Sequence, residues 1–119
     1  MTRTLAAAVL ALAAATGIAR AEGPERLVTV LTAPEPQTQL MAMVLTMQAA
    51  RQGVTPQILL CGPAADMALA DAPDSATAPQ PPKDMSPQGL MQAIMQQPGA
   101  QVEVCAIYLP GRGEGPEVL

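Results

Sequence analysis

The feature that most constrains this chain is the succession of a short apolar run, a long helix-forming run and a second short apolar run. Leu27–Thr32 (LVTVLT) is built from leucine and β-branched residues, with apolar side chains on both faces. That composition predicts a strand buried in a parallel sheet. After Pro34 and Pro36, the stretch Gln37–Gln52 (QTQLMAMVLTMQAARQ) is rich in helix formers and stops at Gly53, a residue suited to ending a helix. Gln57–Cys61 (QILLC) reads as a second strand. Gly62-Pro63 then turns the chain into a short helix over Ala64–Ala70. Strand, helix and strand at these lengths make one β-α-β unit with a right-handed crossover.

Residues 72–84 carry Pro73, Pro79, Pro81 and Pro82 among small side chains, a composition unsuited to a helix interior or a central strand, and so predict a surface loop. Ser86-Pro87 supplies a helix cap with proline at the first helical position. Gln88–Gln97 follows, with Leu90/Ile94 and Met91/Met95 paired at i, i+4, and Pro98-Gly99 ends it. Gln101–Leu109 (QVEVCAIYL) reads as a third strand closed by Pro110-Gly111. Strands alternating with helices point to a three-layer α/β/α domain, with a short, mostly parallel sheet in the flavodoxin-like order 2-1-3. Three strands are few for such a sheet. Either Glu117–Leu119 begins a further strand, leaving the domain incomplete at this end, or a partner subunit covers the exposed edge.

Residues 1–21 read as an export signal: a charged start at Arg3, a fifteen-residue run from Leu5 to Ala19, and Ala19-Arg20-Ala21 as the cleavage site before Glu22. The run is short of the roughly 20 apolar residues that span a membrane, so residues 22–119 are expected to form one domain in the periplasm, without a membrane anchor. The formal net charge of −4 becomes −6 once the two positive charges of Arg3 and Arg20 are removed. Such a balance opposes nucleic-acid binding. Histidine is absent, which excludes Ser-His and Cys-His catalysis and imidazole metal ligation. Tyr108 is the only aromatic residue, so stacking platforms for bases or flavins are poorly supported. The loop Thr32-Ala33-Pro34-Glu35-Pro36 has no glycine, two residues without N–H and one carboxylate, and makes a poor phosphate cradle. No cofactor is expected.

The order of these segments, with Gly99-Ala100-Gln101-Val102-Glu103-Val104-Cys105 placing a cysteine in a strand after a Gly-Ala turn, resembles the DsrE/DsrF-like family of sulfur-relay proteins over residues 27–113. The resemblance implies that Cys105 carries sulfur as a persulfide, received from a donor protein and passed to an acceptor. It also implies that the following Arg112-Gly113 pair places Arg112 as a stabiliser of the thiolate. Members of that family commonly form homo-oligomers. A physical reason to expect the same here is that seven of the eight residues from Leu40 to Met47 are apolar, and a helix apolar all round is covered on more than one side. One side would face the sheet. The other would meet another subunit or a further segment of chain.

In the order 2-1-3 the first strand separates Cys61 from Cys105 by two strand spacings, roughly 9.6 Å, beyond the roughly 7 Å that bridged Cα atoms span. That geometry disfavours a disulfide and leaves Cys105 as either a buried inert thiol or a reactive one. Glu103, two residues before Cys105 on the same face of an extended strand, would push the thiol pKa up, whereas Arg112 would lower it. Cys61, ending a strand before Gly-Pro, reads as a small buried hydrophobe or as a member of a carboxyl-edge site. Seven methionines lie beyond residue 21: Met41, Met43, Met47, Met67, Met85, Met91 and Met95. With a thiolate they could bind copper(I), but their helical spacing favours filling a core that lacks Phe and Trp, and no metal site is assigned. Two function classes follow, a sulfur relay on Cys105 and a non-catalytic oligomeric binding module of the same fold.

Overall fold

The computed structural model describes residues 25–119; the expected export signal at 1–21 lies outside the described residues. Strand β1 (Arg26–Leu31) leads through helix α1 (Pro36–Arg51) to β2 (Thr55–Leu60). A 3₁₀ segment (Gly62–Ala68), a one-turn helix α2 (Asp74–Thr77) and helix α3 (Pro87–Met95) precede β3 (Gln101–Val104). The chain closes with α4 (Tyr108–Arg112) and a 3₁₀ turn (Pro116–Val118). All strand pairs are parallel, and the fold is α/β as the pattern of segments predicts.

The strand order is 1-2-3, not 2-1-3, and a second difference follows from it. In 2-1-3 the two crossovers run in opposite directions, so crossovers of one hand place their helices on opposite faces. In 1-2-3 both crossovers advance the same way, and both helices land on one face. Accordingly α1 packs along α3, and α1 also lies against β1 and β2. Among the described residues the sheet is covered on one side only, giving two layers where three are expected. Leu31, Ile58 and Leu60 point into this core with Met43, Met47, Met67, Met91 and Ile94. The opposite face stays open, with Val28 and Val30 54% and 58% exposed. Its polar residues link across the strands: Arg26 donates to Gln57 (3.3 Å), and Gln57 donates to Glu103 (3.3 Å).

The central place belongs to β2 because its alternate residues Pro56, Ile58 and Leu60 are buried while both its edges are paired. The leucine and valine content of β1 suggested that place for β1, but half of that strand faces outward. Helix α1 starts with Pro36 in its first turn, where the missing N–H leaves no bond unmade, and ends before Gly53, which takes φ +89°. Two buried polar side chains are tied down. Gln39 donates to the Ala33 carbonyl at 2.8 Å, and Thr46 donates to the Ala42 carbonyl at 2.8 Å. Since that bond uses the Thr46 proton, Thr29 is the donor in the 2.7 Å hydroxyl pair that joins β1 to α1. The residues Met41 and Leu45 of α1 remain 56% and 61% exposed.

Three further expectations change. The third strand ends at Val104 rather than Leu109, because the Tyr108 amide turns back onto the Cys105 carbonyl (2.9 Å) and Pro110 fits the first turn of α4. Residues 72–84 are not wholly a surface loop: Ala76 in α2 is buried, and Gln80 pairs with Met85 in an isolated bridge. Glu117–Leu119 does not start a strand; the Val118 carbonyl accepts from Ala70 N at 2.9 Å and docks that end against the 3₁₀ segment region.

Candidate functional site

The chemically distinctive groups collect beyond the carboxyl ends of β2 and β3. Leu60 and Val104 are register partners, so Cys61 and Cys105 each stand one residue past the paired strands. Backbone bonds fix both positions: Cys61 N donates to the Leu31 carbonyl, and Cys105 N to the Leu60 carbonyl, each at 2.9 Å. Cys61 and Cys105 form a disulfide, with their Cα atoms 5.1 Å apart. The separation expected from the order 2-1-3 is thus corrected. With β2 next to β3, the two cysteines sit one strand spacing apart, about 4.8 Å, inside the range a disulfide bridges. Both are half-buried.

After each cysteine the backbone bends away from the sheet. Gly62, at φ +53°, opens the 3₁₀ segment after Cys61, and the Cys105–Tyr108 turn opens α4 after Cys105. These two departures bring Asp66 to Tyr108 and Arg112. The Tyr108 hydroxyl donates to Asp66 Oδ1 in a short hydrogen bond. Arg112 reaches the same carboxylate at 3.4 Å, donates from Nε to Glu114 at 2.6 Å, and lies over the Tyr108 ring at 5.4 Å. Burial, above all, pushes the Tyr108 phenol up to about 12; the hydrogen bond to Asp66 and the charge of that carboxylate add to it, and Arg112 opposes. Tyr108 is therefore a neutral donor at any physiological pH. The bond to Glu114 holds the Arg112 guanidinium above its ordinary range.

A cleft of about 350 Å³ opens beside Cys105, walled by Val104, Ala106, Leu109, Pro110 and Glu114. Cys61 is not part of its wall. A reactant entering the cleft would meet Cys105. Glu114, the carboxylate at the rim, is already engaged by Arg112.

Of the residues singled out in the sequence, Cys105 stands in this site and Arg112 at its border. The guanidinium is given to Asp66 and Glu114, and its bonds are to carboxylates rather than to sulfur. The predicted separation hid Cys61 as the partner of Cys105. The visible signal was that each cysteine directly follows an apolar strand residue, Leu60 and Val104. Asp66 and Tyr108 gave no signal, since 42 residues separate them. The methionines Met43, Met47, Met67 and Met91 lie in the core, and among the described residues no group of three or more carboxylates and cysteines gathers as a metal site. No helix among the described residues is long and apolar enough to cross a membrane. No family model matches this chain, and no curated protein matches it.

Proposed function

We propose that the chain is an exported, periplasmic protein of the DsrE/DsrF-like kind that accepts sulfane sulfur on Cys105 from a persulfide donor. The observation that carries this reading is the position of Cys105, half-buried in the wall of a cleft at the carboxyl edge of a parallel sheet, with a second thiol in bonding range. With the disulfide reduced, the Cys105 thiolate attacks the outer sulfur of a donor R–S–SH. The donor S–S bond breaks, R–S⁻ leaves, and Cys105 carries –S–SH. Arg112 acts here by holding Glu114 and Asp66, so that neither carboxylate stands uncompensated near the incoming anion. A disulfide between the two cysteines suits the oxidising compartment to which an export signal would deliver the chain.

The test is mass spectrometry of reduced Cys61→Ser protein treated with a low-molecular-weight persulfide. The expected result is a gain of one sulfur atom on Cys105, absent in the Cys61→Ser, Cys105→Ser double variant. An unchanged mass in Cys61→Ser contradicts the proposal.

One observation favours a second reading, a binding module that assembles with its own kind. Met41 and Leu45 on α1, inside the Leu40–Met47 stretch, are exposed although apolar, as a subunit contact would require. Sedimentation velocity would then show an oligomer that Met41→Asp together with Leu45→Asp converts to monomer. A monomeric unsubstituted chain contradicts this reading.

A further inference from the structure

We infer that Cys61 is a discharging thiol, so that sulfur taken up on Cys105 leaves as hydrogen sulfide instead of being stored for an acceptor; this rests on the uptake proposed above. A persulfide is long-lived only while no second thiolate can reach its inner sulfur. Here one is held in reach. The Cys61 and Cys105 Cα atoms lie 5.1 Å apart, and that spacing belongs to the sheet rather than to the disulfide alone. Both residues extend neighbouring strands, pinned by the bonds from Cys61 N to Leu31 and from Cys105 N to Leu60. Reduction cuts the S–S bond and leaves those bonds in place. The placement also divides the labour. Cys105 lines the cleft and Cys61 does not, so a donor in the cleft meets Cys105, and Cys61 is left as the attacking thiol.

The Cys61 thiolate attacks the inner, Cys105-bound sulfur; the Cys61–Cys105 bond forms as the bond to the terminal sulfur breaks, and HS⁻ departs with the electron pair. The terminal sulfur is reduced to sulfide, and the two cysteines are oxidised to the disulfide present in the structure. Return to the dithiol requires an external dithiol reductant, which leaves as its own disulfide. Over a full cycle, one persulfide and one dithiol give one thiol, one sulfide and one disulfide.

The experiment uses the full chain, reduced and freed of reductant, mixed with a low-molecular-weight persulfide. Free sulfide and the mass of the protein are followed together. The unsubstituted protein should release close to one sulfide per chain while its two thiols become a disulfide, at a rate that becomes independent of donor concentration. In Cys61→Ser and Cys61→Ala the persulfide on Cys105 should persist, with sulfide release slowed by more than about a hundredfold, because attack is no longer intramolecular. Two variants guard against one that folds poorly, and circular dichroism identifies it. Retention of the persulfide by the unsubstituted protein, as long as by the variants, overturns the discharge role while leaving sulfur uptake intact. Failure of both Cys61 variants to take up sulfur, although folded, overturns the uptake reading, and the discharge role with it.

Discussion

Tyr108 shows how a single residue reports on the border of the site. Its phenol is pushed up to about 12 by burial, and further by its bond to Asp66. A group whose pKa is raised on folding stabilises the folded state fully below its unfolded value, about 10, and that contribution is lost as pH rises through about 12. Alkaline unfolding between those values should therefore be less steep in Tyr108→Phe than in the unsubstituted chain, measured by denaturant titration at several pH values. Since Tyr108 is the only tyrosine, an ultraviolet titration reads it directly, and Asp66→Asn should move the midpoint down without returning it to 10, because burial remains. At this scale the sequence showed which residues carry chemistry and not what they touch. Cys105 and Arg112 stand out by type, whereas their partners Cys61 and Asp66 lie 44 and 46 residues away along the chain and meet them only once β2 and β3 are neighbours.

Each element depends on a few local devices that substitution can remove. Ser86 caps α3 by accepting from Gly89 N at 3.1 Å, with Pro87 at the first helical position. Ser86→Ala should cost about 1 kcal/mol, lowering the melting temperature by about 4–8 °C in a domain of this size. Met43 is fully buried between α1 and the sheet, and Met43→Ala should cost about 2–5 kcal/mol through the cavity it leaves, measured by urea denaturation. Both helices were legible in the sequence almost to the residue, since capping serine, first-turn proline and terminal glycine are local signals. The third strand was not. Its apolar content continues to Leu109, but Ala106–Leu109 leaves the sheet where the Tyr108 amide turns back onto the Cys105 carbonyl. The second layer of helices was misread for a similar reason, since Val28 and Val30 are apolar yet lie on the open face.

For the whole molecule, strand order decides the rest. The segments of the α/β pattern could be read along the chain, but their order in space is set by the direction of the second crossover, which no local residue encodes. Placing β2 in the centre brings Cys61 to Cys105 and puts both main helices on one face. The disulfide links residues 44 apart in sequence, and in the chain-entropy picture such a loop contributes about 4 kcal/mol. Reduction should lower stability by an amount of that order while far-ultraviolet circular dichroism stays native. The central claim, that neighbouring strands β2 and β3 hold the two cysteines as one redox pair, is tested most directly by peptide mapping of unreduced protein whose free thiols have been alkylated. A cross-linked peptide joining Cys61 to Cys105 within one chain, with neither cysteine alkylated, is the predicted result. Two alkylated cysteines, or a bridge between two chains, would contradict it.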